Sequence, residues 1–168
     1  MYIVKIEGDL DENMLNSVYE QMKDWAETNS SEDIAVQIDS KGGYIDIAQY
    51  IGDLIYLAKE EKGASIVTFN SGNIMSAASL IYLMGDARLF DPSKGEFLIH
   101  RPVSVDVEGH TEDLLDAAVA NNAVEESLIS YYQEFNGKGR NEIFNRMSQE
   151  EPMNAEELIE YGFVTELI

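Results

Sequence analysis

In its first half the sequence twice passes from a short apolar run, through a helically spaced stretch, to another short apolar run. Residues 2–6 and 34–38 read as strands, and between them Leu15, Val18, Met22 and Trp25 fall on one face of a helix. The pattern then repeats: Ile47, Ala48, Ile51, Leu54, Ile55 and Ala58 keep helical spacing before a strand at 65–69. Strands joined through crossover helices pair in parallel, and the helices cover the sheet. An α/β fold on a mostly parallel sheet is therefore expected.

The remainder continues that plan. Asn70-Ser71-Gly72-Asn73 reads as a turn, and 76–84 is apolar on nearly every side up to Gly85, as suits a buried helix. Short strands fit 88–90 and 96–99. A long helix is expected over 111–135, with Thr111 as cap, Glu112 and Asp113 at its positive end and Asn136-Gly137 as its stop. Such a helix would project from the globule and mediate assembly. The last helix should begin after Asn154, with Glu157 three residues on, and end at Tyr161-Gly162 before a strand at 163–168. Without repeats, low-complexity tracts or linkers, the chain reads as a single domain over 1–168.

Composition excludes several classes of function. The 168 residues carry 11 Lys and Arg against 32 Asp and Glu, a net charge of -21 that opposes contact with nucleic acid and with anionic membranes. The absence of Cys removes disulfides, thiolate metal sites and a cysteine nucleophile. Residues 1–7 have neither the basic start nor the apolar stretch of a secretory signal, so a soluble cytoplasmic protein is expected.

Candidate chemistry gathers around three short segments. Ser76 follows a strand and a turn and opens a helix, a junction that exposes nucleophilic serines, although a serine there is more often only a cap. A serine nucleophile at neutral pH needs a base, and only His100 and His110 exist. His100 ends the strand-like Phe97-Leu98-Ile99, where a catalytic and a structural role are equally open; His110 reads as a solvated loop residue. Gly42-Gly43, after a strand, is commonly just a turn, but it also lets main-chain amides approach a substrate and hold an oxyanion.

Together these segments resemble the proteolytic subunit of the Clp protease. Gly72-Asn73-Ile74-Met75-Ser76 is similar to that family's nucleophile motif, and Phe97-Leu98-Ile99-His100-Arg101-Pro102 to its histidine motif. Asp39-Ser40-Lys41-Gly42-Gly43 resembles its Ser-Pro-Gly-Gly turn, and Ala155-Glu156-Glu157-Leu158-Ile159-Glu160-Tyr161-Gly162 its final helix. The likeness runs in order along nearly the whole chain. Ser76-Ala77-Ala78-Ser79-Leu80-Ile81, followed by Met84-Gly85-Asp86, is especially similar to the Clp-like proteases of phages and prophages that act in head maturation, which would put the protein in host cytoplasm.

The resemblance implies a ClpP/crotonase-like spiral of strand-helix units with a long handle helix, and a serine endopeptidase without metal or organic cofactor. It makes Ser76 the nucleophile, His100 the base, the amides of Gly43 and Ala77 the oxyanion donors, and Glu150 the carboxylate that orients the histidine, with adjacent Glu151 the alternative. It implies a protein or peptide substrate and homo-oligomeric rings, stacked heptamers among the arrangements; any ATPase would be a separate partner. Three departures stand out: Lys41 replaces the usual Pro, Ile74-Met75 replace small residues, and the sequence begins almost at the first core strand, where the family carries its gating segment. Three rivals remain open. One is a crotonase-type acyl-CoA enzyme. Another is a serine-lysine peptidase using Lys59, Lys62 or Lys94, and the third is a ring-forming scaffold that has lost turnover.

Overall fold

The first strand, β1 (Tyr2–Glu7), buries Val4 and Ile6 on one face. Asp11 caps α1 (Glu12–Glu27) by accepting the Met14 amide at 2.9 Å. The helix then lays Val18, Met22 and Trp25 into the core, as the spacing predicts. In β2 (Ile34–Ser40), Ile34, Ala35, Val36 and Ile38 are buried on both faces, the mark of an inner parallel strand. Next, α2 (Ile45–Lys62) stops at Gly63, which takes φ 68° and donates to the Lys59 carbonyl at 3.0 Å. These elements belong to a computed structural model that describes residues 1–28 and 32–168.

The strand β3 (Ile66–Met75) is twice as long as the sequence suggests, because the expected turn at 70–73 continues it. The cause is the buried side chain of Asn70. Its amide donates to the Gly72 carbonyl at 3.1 Å and the Asp91 carbonyl at 3.0 Å, and its oxygen accepts the Asp91 amide at 2.7 Å. After α3 (Ala78–Leu83), β4 (Ala87–Phe90) pairs with the first half of β3, and β5 (Phe97–Leu98) pairs with the second half. Tyr82, Phe90, Phe97 and Phe163 pack ring against ring, with centroids 5.5 Å apart for Tyr82 and Phe97 and 5.8 Å for Phe97 and Phe163.

Of the later elements, α4 (Thr111–Gln133) begins at the residue expected to cap it, so its cap lies one residue earlier. The Asp113 carboxylate reaches back to accept the His110 amide at 2.7 Å, so His110 is the capping residue and Thr111 is already helical. His110 is exposed, as expected. The helix is followed by Gly137, at φ 63°, and by α5 (Arg140–Gln149). Asn154 and Glu157 form the expected capping box of α6 (Ala155–Glu160), exchanging bonds of 3.0 and 2.9 Å. Only Glu166–Leu167 of the final segment pair as a strand, β6.

All ladders are parallel, in the order β1-β2-β3-β4-β6 with β5 on β3, which gives the mixed α/β architecture expected. The sheet, α1 to α3 and α6 lie in one compact unit, Met1–Leu98 with Pro152–Ile168; α4 and α5 lie in a second, Ile99–Glu151. No helix among the described residues is long and apolar enough to cross a membrane.

Asp86, in the turn between α3 and β4, accepts the Ile66 amide at 3.0 Å and binds the Lys59 ammonium. Burial raises its pKa, but the Ile66 amide and Lys59 outweigh that, so the carboxyl titrates below its ordinary range. A depressed folded pKa means the contribution is complete above the ordinary value of about 4 and is lost as pH falls through the folded one. In urea titrations across acidic pH, Asp86→Asn should therefore lose stability less steeply on acidification than the parent.

Candidate active site

Ser76 occupies the corner between β3 and α3 with φ 54°, in the left-handed region. A residue with a Cβ pays about 1–2 kcal/mol to sit there, so its surroundings must hold it. Its amide donates to the Leu98 carbonyl at 2.8 Å. Its own carbonyl accepts the Ser79 amide at 3.0 Å and the Ser79 hydroxyl at 2.7 Å. This is why α3 starts at Ala78 and not at Ser76. Of the two serines, Ser79 is fully buried and Ser76 is half-buried, so only Ser76 can meet a reagent from solvent.

The glycine pair abuts this corner. Gly42 has φ 100°, and a Cβ added to it would lie 2.6 Å from the Ser76 Cβ, 2.8 Å from the Met75 carbonyl oxygen and 3.1 Å from the Ala77 nitrogen. Gly43, at φ 151°, is as tightly backed by Leu10, whose carbonyl oxygen would be 2.5 Å from an added Cβ. Leu10 donates to the Gly42 carbonyl at 2.9 Å and accepts from the Tyr44 amide at 3.0 Å. The buried Ser40 hydroxyl accepts the Gly42 amide at 3.1 Å. With these bonds assigned, neither the Gly43 amide nor the Ala77 amide has a protein acceptor among the described residues. Two donors thus stand open beside a half-exposed hydroxyl, an arrangement suited to developing negative charge.

The departures in sequence acquire locations. Ile74 is wholly buried, so its bulk goes into the core; Met75 is half-buried and Lys41 is exposed. Gly72 is needed for space, because a Cβ there would come within 2.1 Å of the Asp39 carboxylate, which also accepts the Asn73 amide at 2.9 Å.

His100 and Glu150 belong to the second unit. His100 is half-buried and lies just past β5, in a stretch without regular structure. Arg101 beside it donates to Glu125 at 2.6 Å and stacks over the Phe144 ring at 4.8 Å, while Asn121 donates to the Pro102 carbonyl at 3.3 Å. Glu150 is exposed and ends α5 at φ 54°; the carbonyl of Glu151 accepts Arg146 at 3.1 Å. No group of three potential metal ligands occurs among the described residues. The sequence reading missed the Ser79 hydroxyl and the Arg101–Glu125 pair. Helical spacing from Ser76 was the available signal for the first; nothing local marks the second.

The family model described as Clp protease matches residues 1–168. The ATP-dependent Clp protease proteolytic subunit 2 of Pseudomonas aeruginosa is 26% identical over 166 residues, spanning 98% of this chain and 80% of the relative. The ATP-dependent Clp protease proteolytic subunit of Streptococcus pneumoniae is 25% identical over 168 residues, spanning 99% and 84%. Among solved structures, a ClpP1 point mutant from Listeria monocytogenes superposes with a TM-score of 0.82 at 22% identity, covering 99% of this chain and 91% of that one, which shows the fold.

The glycine geometry yields a controlled test. Gly8 shares a similar backbone, φ 109°, yet an added Cβ would meet nothing within 4 Å, whereas at Gly42 it would strike the serine corner. Gly8→Ala should cost only backbone strain, lowering Tm slightly. Gly42→Ala should in addition reduce the rate of fluorophosphonate labelling by about 10²-fold or more, the scale of a lost oxyanion donor.

Proposed function

The chain belongs to the Clp protease family of serine-type peptidases, and from that premise we propose that it cleaves protein or peptide substrates at Ser76. The carrying observation is the pair of open amides, Gly43 and Ala77, beside a serine held at φ 54°. In the proposed reaction His100 removes the Ser76 proton as the hydroxyl oxygen attacks the scissile carbonyl carbon. The two amides stabilise the oxyanion, the protonated histidine gives its proton to the departing amine, and an acyl-enzyme is left. Water, deprotonated by His100, then releases the acyl group and restores Ser76. Glu150 is assigned to the second imidazole nitrogen, fixing its tautomer and stabilising the imidazolium. Chemistry of this kind draws on the chain's own groups throughout.

The span of the family match supports reading 1–168 as one peptidase domain. Self-assembly into rings is proposed from α4 and the segment before it, where Val103, Val105, Leu115 and Val119 are between 60% and 71% exposed. The relatives are named as subunits of ATP-dependent proteases, and a separate ATPase partner is carried over here only as a proposal. The likeness of 76–81 to phage-type sequences favours a substrate met during head maturation, in host cytoplasm.

Labelling with a fluorophosphonate followed by peptide mapping should find Ser76, and Ser76→Ala should abolish both labelling and cleavage with the fold intact. A fully folded parent that resists labelling would indicate a ring-forming scaffold without turnover. Glu150→Gln should lower turnover by up to about 10⁴-fold, the cost of a lost tautomer, while Glu151→Gln stays near the parent rate; the opposite result would transfer the role.

Light scattering should find a discrete oligomer at working concentration. Leu115→Glu and Val119→Glu should shift it toward monomer without loss of helix content.

A further inference from the structure

Ser79 lies inside a short helix, fully buried, next to Ala77 and Ala78. Alanine would suit such a position better by helix propensity and would bury no hydroxyl. Serines within helices commonly return their hydroxyl to a carbonyl one turn back, merely to satisfy it. Here the accepting carbonyl is different in kind, because it belongs to Ser76, whose φ of 54° puts it outside the helix. The Ser76 carbonyl and the Ala77 amide are two ends of one planar peptide group. Whatever fixes the carbonyl therefore aims the N–H on the opposite side. The Ser79 hydroxyl at 2.7 Å and the Ser79 amide at 3.0 Å both hold that carbonyl. A donor on the carbonyl also polarises the peptide and strengthens its N–H as a donor.

We propose that Ser79 is a positioning residue for the oxyanion site: its hydroxyl clamps the Ser76–Ala77 peptide so that the Ala77 amide points at the developing negative charge. This deepens the reading in which Ser76 is the nucleophile and rests on it. Ser79 touches no substrate. Its effect is confined to the tetrahedral state, because only there does the substrate oxygen carry the charge that the amide must meet.

The experiment compares the parent with Ser79→Ala and Ser79→Thr, using a fluorogenic peptide for kcat and KM and a peptide boronate as tetrahedral analogue. Ser76→Ala serves as the reference for the underlying reading. If the parent is not labelled by fluorophosphonate, or Ser76→Ala still is, it is the nucleophile assignment that fails. With that assignment standing, Ser79→Ala should keep KM within about twofold, lower kcat about tenfold and weaken boronate binding by a similar factor. Threonine can return its hydroxyl to the same carbonyl, so Ser79→Thr should recover kcat to within about threefold. Parent-like kcat and boronate affinity in Ser79→Ala would overturn the proposal. So would a Thr variant as slow as the Ala variant, which would assign Ser79 to packing alone. Tm of each variant is measured first, and kinetics are taken where all are folded.

Discussion

Everything at the serine corner depends on β3 serving two neighbours in succession. Its first half is bonded to β4, up to the pairing of Phe69 with Leu89, and its second half to β5, at Ile74 and Met75. Between them the ladder would leave polar backbone buried and unpaired. The Asn70 side chain closes that gap by bonding both the amide and the carbonyl of Asp91, together with the Gly72 carbonyl. On the opposite edge the pairing with β2 slips, from Ile38 with Asn70 to Ser40 with Ile74. There Asp39 performs the same service, accepting the Asn73 amide at 2.9 Å across a glycine with no Cβ to obstruct it. Two side-chain clamps thus carry the strand through an irregular stretch and deliver Ser76 beyond its end.

The corner then needs a left-handed serine, and its neighbours are shaped around that need. Strain of about 1–2 kcal/mol persists only where several bonds agree on the same conformation. Leu98 holds the Ser76 amide, and Ser79 holds its carbonyl twice. The glycine pair accepts its own unusual backbone so that it can lie against the corner, backed by Leu10 from the other side. Within this arrangement the Gly42, Tyr44, Ser76 and Ser79 amides each have an acceptor, while those of Gly43 and Ala77 have none among the described residues.

What could be read from the sequence is what is decided locally. Asn154 and Glu157 were legible as a capping box because both partners lie within one helical turn. The core faces of α1 and α2 were legible from spacing, and motif singled out Gly42-Gly43 and Ser76 as candidates. Asn70-Ser71-Gly72-Asn73 was misread as a turn because the group that keeps it in the sheet, the Asp91 backbone, is 21 residues away. The cap of α4 moved from Thr111 to His110 because of where the Asp113 carboxylate reaches, a matter of side-chain geometry and not residue type. The positive φ of Ser76 was illegible for the same reason: serine has no preference for that region, and the bonds enforcing it come from Leu98 and Ser79.

The segment carrying His100 is fixed by a different kind of force. Around Ser76, position is set by main-chain bonds and by the absence of glycine side chains. The stretch after β5 has no regular structure until α4, so no ladder holds it. Its anchors are side chains: the Arg101 guanidinium on Glu125 and Phe144, and Asn121 on the Pro102 carbonyl. The ion pair is lopsided, with the Glu125 side chain 5% exposed and that of Arg101 48% exposed. A carboxylate that deep cannot be left without its partner, because taking an unpaired charge out of water costs several kcal/mol. Arg101 stays solvated with or without Glu125. The dependence therefore runs from the helix to the loop: α4 requires Arg101 at its buried acid, and in meeting that requirement the residue next to His100 is held in place.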